Sequence, residues 1–413
     1  MYKILTTTYI GLTLSLLVLT GNTNFRKHPS TKVFFDARKH QTNYMGPGRE
    51  EAYPANIKEV LIGYFGPNAS CDPEYSDMWS AACLAVEKAN KAGGYKGLPF
   101  RLVSGWSGNP WGSGVSKVVR MAYIDRVWAV IGGMDGPSTH LAEQVAAKAR
   151  LAVLSPASTD KTVNLANVPW IFSCLPGDHL QAPVLAGAIA SRVKKKSFLL
   201  VSTVDHDSHY FTVELIKSLT QRQLVPAYHF EFNPNERNVG ELTEKIISTN
   251  AHALVLIADA RNSAQIIRIV REKNFTGLIF GGPCMGQRNF IEQVGRVTDG
   301  LIFPLLYITR KSPNSFEEQF ALRFGCYPDY LAAHTYDAVN LLIAAIHKAG
   351  LNRALICDGI KSFSPWQGVT GSIYWDSLGS NSRSIRLGTI RNGRVEPLSK
   401  IQLPLLTYSQ FLN

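Results

Sequence analysis

The 413-residue chain has no hydrophobic run long enough to cross a bilayer comfortably. Its N-terminal apolar stretch, Ile10 to Leu19, follows Lys3 and reads as a secretory signal. A clean A-x-A cleavage pattern is missing after it. Cleavage therefore falls near Gly21 to Thr23, or residues 1–21 stay as a membrane anchor. The run has no cysteine close behind it, which argues against lipoprotein attachment. None of the six cysteines forms a CxxC pair, so a thiolate metal site is not expected. In an exported chain disulfides are permitted. Cys71 with Cys83, and Cys326 with Cys357, are open pairings beside single buried thiols.

Catalytic signatures are missing too. The sequence has no Gly-x-Ser-x-Gly, no His-Glu-x-x-His and no complete Gly-rich nucleotide motif. The segment "GWSGNPWGSG", with Trp106 and Trp111, lacks the Lys-Ser/Thr ending of a phosphate loop; its tryptophans line a cleft or pack on the surface. Neither an enzyme nor a cofactor is expected. Acidic residues are the scarcer charge, 31 against 43 Lys and Arg, for a net +12. The bases are scattered, and the tight cluster Arg192-Val193-Lys194-Lys195-Lys196 closes a helix-like segment, where cations suit the dipole. A basic stripe interleaved with aromatics is absent, so nucleic acid is not an expected partner.

What is there is a repeating unit. Hydrophobic residues make up 45% and charged residues 18%, enough for packed cores in two domains of ordinary size. From Ile57 to about Leu305, short β-branched runs alternate with amphipathic stretches across small, hydroxyl-bearing turns such as Gly136-Pro137-Ser138-Thr139. The pattern predicts strands at Val60–Phe65, Trp128–Ile131, Phe198–Ser202 and Ala253–Ile257. It predicts helices at Tyr75–Ala92, Ser138–Ala149, Tyr210–Gln221, Ser263–Lys273 and Tyr330–Ala349. Alternation of this kind implies an α/β fold of parallel sheets, with ligands outside the carboxyl ends of the strands. Residues 22–56 are polar and aperiodic and read as a flexible tether.

Several segments carry a resemblance in order. "IKEVLIGYFGPNASCDPEYSDMWSAACLAVEKANKAGGYKG" and "VIGGMDGPSTHLAEQVAAKARLAVLSPAST" are followed by "IFGGPCMG", "YDAVNLLIAAI" and "GVTGSIYWDSLGS". Over roughly residues 57–400 the chain resembles the type I periplasmic solute-binding proteins, in their branched-chain amino-acid (leucine-binding) branch. The resemblance implies two Rossmann-like lobes joined by a three-crossover hinge. One lobe would be 57–174 plus 305–371, the other 175–304 plus 372–413. It also implies an extracytoplasmic, periplasmic protein, with a possible N-terminal membrane tether. Such a protein closes on an amino acid or amide-like small polar ligand and delivers it to ABC permease subunits. The alternative is a sensor of the amide- or urea-responsive type.

The resemblance also implies a ligand set. An α-carboxylate needs amide donors such as helix N-termini supply. Gly136, Ser138 and Thr139 would serve it in the first loop, with Ser158 and Thr159 in the second. Ordinary N-capping explains the same hydroxyls. Tyr75 and Tyr210 match aromatic positions on facing lobes. Cys284 stands where relatives carry the acid that pairs with an ammonium, and Asp259 is the nearby substitute. The run Asp205-His206-Asp207-Ser208-His209 looks metal-like, but adjacent ligands converge only in a tightly folded loop, so no metal is expected.

Overall fold

The computed structural model describes residues 35–36 and 42–398, apart from 53, 70–71, 73–74, 76, 195, 236–238, 296–299 and 310–311. The Ile10–Leu19 run lies outside the described residues. Among the described residues, no helix is long and apolar enough to cross a membrane.

A short antiparallel ribbon, β1 (Phe35–Asp36) with β2 (Asn43–Tyr44), precedes the alternating elements. The first lobe contains β3 (Val60–Phe65), α1 (Met78–Lys91), β4 (Phe100–Ser104), α2 (Val115–Tyr123), β5 (Ala129–Gly132), α3 (Gly136–Ala149), β6 (Ala152–Ser155) and β7 (Ile171–Ser173). Its five strands are parallel, in the order β4-β3-β5-β6-β7. The second lobe follows with α4 (Asp178–Val193), β8 (Phe198–Thr203), α5 (His206–Thr220), β9 (Tyr228–Phe232) and α6 (Val239–Ser248). It continues through β10 (Ala253–Ile257), α7 (Ala260–Glu272), β11 (Leu278–Gly281), α8 (Arg288–Val294) and β12 (Ile302–Leu305).

The chain then returns to the first core with α9 (Phe316–Phe324), α10 (Tyr330–Ala349), α11 (Arg353–Ser362) and the hairpin β13 (Trp366–Gly368) and β14 (Gly371–Ile373). It crosses again to add β15 (Arg386–Arg391) and β16 (Arg394–Pro397), both antiparallel. The second sheet reads β16-β15-β12-β11-β10-β8-β9. Three crossings therefore join the lobes.

Period-two burial builds this sheet. Leu199 and Val201 of β8, with Leu254 and Leu256 of β10, feed one core. Phe198 and Leu200, with Ala253, Val255 and Ile257, feed the core on the other face. Strands buried on both faces need continuous apolar runs, as these have. Each fully buried Leu, Ile or Phe contributes about 1.5–3 kcal/mol. In each sheet the strand order reverses once, between β3 and β5 and between β8 and β10. Those reversals are the positions where open α/β sheets bind ligands.

Three expectations need correction. Residues 42–52, read as part of a tether, pack on the first lobe. Tyr44 packs at a tilt against the buried Trp170, with 5.0 Å between ring centroids, and Arg49 pairs with Asp358 at 2.6 Å. The Asn352 amide donates to the Gly48 carbonyl at 2.7 Å. Isolated anchors in a polar segment leave no periodic signal. The proposed disulfides are not made, because Cys83 and Cys357 are free thiols. Finally, α3, α5 and α7 begin two to four residues earlier than periodicity indicates, at aspartate caps Asp135, Asp205 and Asp259.

The crossings are tied together by Arg383. Its guanidinium donates to the carbonyls of Thr370 and Leu306 and to Nε2 of His334, the last at 3.0 Å. His334 is fully buried, and its Nδ1 donates to the Tyr330 carbonyl at 2.7 Å. Burial, reinforced by Arg383, pushes the His334 pKa well below the ordinary imidazole value. Asp337 is the acid facing Arg383 in turn. The unfolded chain therefore takes up a proton below about pH 6.5 that the folded chain refuses. Stability should be full above that pH and fall as the pH drops below it. His334→Gln should flatten this part of the stability curve, read by urea unfolding across the acid range. An unchanged slope would contradict the assignment.

Candidate functional site

The two sheet reversals face each other through the N-terminal turns of α3 and α5. In α3, Asp135 caps the helix. Its Oδ1 accepts the Ser138 amide at 2.8 Å, and Ser138 Oγ accepts the Met134 and Asp135 amides at 2.9 and 3.2 Å. This reciprocal box fixes the turn. Ser138 and Thr139 are fully buried, and Thr139 Oγ1 donates to the Asp135 carbonyl at 2.6 Å and Ser155 Oγ at 3.2 Å. Ser155 Oγ accepts the Ser158 amide at 3.1 Å, which joins the two hydroxyl turns.

The free amide of the α3 turn is that of Gly136. It donates to both carboxyl oxygens of Asp207, at 3.0 and 3.2 Å. Asp207 comes from the first turn of α5 on the other lobe. A side-chain carboxyl thus occupies the anion position of a helix N-terminus. Burial, with Asp135 nearby, pushes its pKa up to about 8, against the lowering by the Gly136 amide.

Beside this contact, Asp160 lies between two imidazoles. Its Oδ2 is 3.0 Å from His140 Nε2 and 2.7 Å from His206 Nε2. Its Oδ1 accepts the Thr162 amide and hydroxyl, both at 2.7 Å. Burial raises the Asp160 pKa, but hydrogen bonds from His140, His206 and Thr162 outweigh it and hold the carboxyl below the usual range. Hydrogen bonds to Asp160 and Glu143 raise His140 to about 9. An ion pair of Lys161 with Glu214 also crosses between the lobes.

The remaining expected residues lie around this contact. Tyr75 donates to Asp135 Oδ2 at 3.1 Å and meets Trp106 edge-on at 5.5 Å. Trp111 is exposed. Tyr210 packs on His206, with ring centroids 4.7 Å apart. Ser158 is buried and Thr159 half-buried. The Thr159 carbonyl accepts the Asp178 amide at 2.8 Å. Burial drives the Asp178 carboxyl well above its usual pKa, against a lowering by the Thr159 hydroxyl.

Asp259 follows β10, and Cys284 lies beside it in the turn after the neighbouring β11. Asp259 caps α7 and accepts the Asn262 amide at 2.9 Å and its side-chain amide at 2.6 Å. The buried Cys284 thiol donates to the Ala258 carbonyl at 3.1 Å, and burial pushes it up to about 12, so it is neutral at pH 7. The turn Pro283–Gly286 leads to Arg288, which pairs with the buried Asp77 of the first lobe at 2.7 and 3.0 Å.

Sequence reasoning missed Asp135, Asp160, His140 and Arg288, and it set His206 and Asp207 aside with the metal-like run. Aspartate at a strand end followed by a helix was the signal for three caps. Nothing in sequence spacing joins His140 to His206.

A family model described as "Periplasmic binding protein" matches residues 60–394. An amino acid binding protein of Pseudomonas aeruginosa is 22% identical over 328 residues, covering 78% of this chain and 87% of that protein. The branched-chain amino acid transporter substrate-binding protein LivJ of Streptococcus pneumoniae, solved with isoleucine, is 20% identical with a TM-score of 0.74; the match covers 82% of this chain and 98% of LivJ. A solute-binding protein of R. palustris, solved with benzoate, is 14% identical with a TM-score of 0.72, covering 82% and 95%. The family match spans most of the two-lobed fold, and the chain belongs to the periplasmic binding protein family.

Proposed function

We propose that this chain is an extracytoplasmic solute-binding protein that closes on an amino acid or a related small polar ligand. It then delivers the ligand to ABC permease subunits, without turnover. The observation that carries the reading is the Gly136 amide, which holds a carboxyl group supplied by the opposite lobe. A ligand carboxylate takes that position and displaces Asp207. The displaced carboxyl, with Asp135 and Asp205 close by, then faces the ligand's cationic group. Asp207 thereby supplies the acid missing at Cys284, while Asp259 remains bound to Asn262. Tyr75 bonds Asp135, Tyr210 packs on His206 and Thr159 precedes Asp160, so all three adjoin the groups of this contact. The crowd of acids disfavours a ligand with no cationic group, such as a simple carboxylate.

Thermal-shift screening over amino acids, amides, urea and simple carboxylates tests this, because a bound ligand stabilises the native state by mass action. An amino acid should raise the melting temperature, and simple carboxylates should not. Thr159→Ala should then bind the same ligand about ten- to a hundredfold more weakly, as loss of one hydrogen bond to a charged group predicts. Its melting temperature without ligand should fall modestly, because the Thr159 hydroxyl also serves the buried Asp178 carboxyl, so affinity is read on protein shown to be folded. A screen with no stabilising compound overturns the reading; normal binding by Thr159→Ala removes that residue from the site.

A further inference from the structure

His140, Asp160 and His206 place three metal-competent atoms within 4.8 Å of one another. Two come from the first lobe, His140 in α3 and Asp160 after β6. The third, His206, opens α5 on the second. Of the metal-like run Asp205 to His209, only His206 joins the group. The other ligands arrive from distant sequence, so adjacent ligands do not have to converge.

The group is built as a coordination shell is built. The Asp160 side chain is fully buried, while those of His140 and His206 are 24% and 30% exposed. The base of the site is therefore closed and its mouth open. Thr162 holds Asp160 Oδ1 through two hydrogen bonds, which leaves Oδ2 aimed between the two Nε2 atoms. Behind His140, Nδ1 faces Glu143 Oε2 at 3.6 Å. A carboxylate behind a ligating imidazole fixes the ring so that Nε2 points at the metal. Bonds of about 2.0–2.1 Å in a tetrahedron put ligand atoms roughly 3.3 Å apart. The 2.7 and 3.0 Å separations of Asp160 Oδ2 from the two imidazoles are within tenths of an ångström of that value, and the two imidazole ligand atoms lie within 4.8 Å of each other.

We propose that His140, Asp160 and His206 bind a divalent transition-metal ion across the two lobes, with a fourth position open to water or a ligand group. Two imidazoles and one carboxylate suit zinc and its neighbours in the first row. Calcium and magnesium, which take six or more oxygens or keep several waters, are disfavoured. Because the ligands are divided between lobes, the metal binds the closed form and holds it closed. This goes beyond the capture of an organic solute and does not depend on it.

The test uses the full exported chain, with any affinity tag removed, stripped with EDTA and dialysed into buffer free of amino acids. Calorimetric titration should show one equivalent of Zn2+. Titration with Co2+ should give the intense visible bands of a four-coordinate ion. His140→Ala and His206→Ala each remove a ligand, and should weaken zinc binding by about a hundredfold or more. Glu143→Gln should weaken it about tenfold, as outer-shell carboxylates do. His209→Ala, exposed in the next turn of α5, should bind as the parent does. Circular dichroism and cooperative melting confirm that each variant is folded. Absence of zinc binding in the parent identifies a hydrogen-bonded triad and overturns the proposal. So does unchanged affinity in His140→Ala and His206→Ala, or an equal loss in His209→Ala. Amino-acid binding measured in EDTA decides the solute-capture reading separately.

Discussion

Arg288→Ala should lower the unfolding free energy by about 3–5 kcal/mol, the cost of leaving a buried charge without its partner. Asp77, 1% exposed, stands at the N-terminal end of α1 in the first lobe without a capping hydrogen bond from its side chain. Its Oδ2 accepts Nε and Nη2 of Arg288 at 3.0 and 2.7 Å. Its Oδ1 has no hydrogen-bond partner among the described residues. The guanidinium therefore carries most of the compensation for this carboxylate. Its third nitrogen reaches Glu292 at 2.9 Å, and its backbone amide donates to Asp329 at 3.2 Å. Arg288→Lys should recover only part of the loss, because one ammonium cannot reproduce a planar fork shared between two acids. Asp77→Asn in the Arg288→Ala background should recover more, since it removes the stranded charge. Urea unfolding checks the series. A shift below about 1 kcal/mol would put the pair with ordinary exposed ion pairs and contradict this account.

The lobes were legible in the sequence because their strands are buried on both faces. β10 lies at the expected Ala253–Ile257, and α10 spans the expected Tyr330–Ala349, bounded by Asp329 and Gly350. The three-residue β7 was not legible. It is too short for a pattern and follows Pro169-Trp170 directly. The expected start of α5 at Tyr210 fell four residues late because apolar periodicity begins only after the polar first turn. That first turn holds His206 and Asp207, so the missed boundary was also a missed piece of the site. The resemblance brought attention to the α3 loop, where the structure places the interlobe contact at Gly136. It gave no sign that the partner would be a carboxyl from the chain itself. Pairing across a cleft is a tertiary property, and His140, Asp160 and His206 share no helix face or strand period.

Gly136→Val should separate the lobes while leaving each core intact. Gly136 lies in α3 and has no positive φ, so valine, a better helix former than glycine, carries no propensity cost there. Space is the obstacle. A Cβ there would overlap the Asp207 carboxyl and stand 2.6 and 2.8 Å from Cδ2 and Nε2 of His206. Both neighbours are side chains of the other lobe, so the overlap is relieved by moving that lobe away. Overpacking costs about 1–3 kcal/mol, and the lost bond to the Asp207 carboxyl, mostly neutral at pH 7, adds about 0.5–1.5 kcal/mol. Together they shift the closed-to-open ratio by about 1.5–4.5 kcal/mol, at least about tenfold. Small-angle scattering should record a larger radius of gyration for the variant than for the parent, with both free of ligand. Because the Cβ itself makes the overlap, Gly136→Ala should behave almost like Gly136→Val. If both variants scatter as the parent does, the Gly136–Asp207 contact does not hold the lobes together in solution.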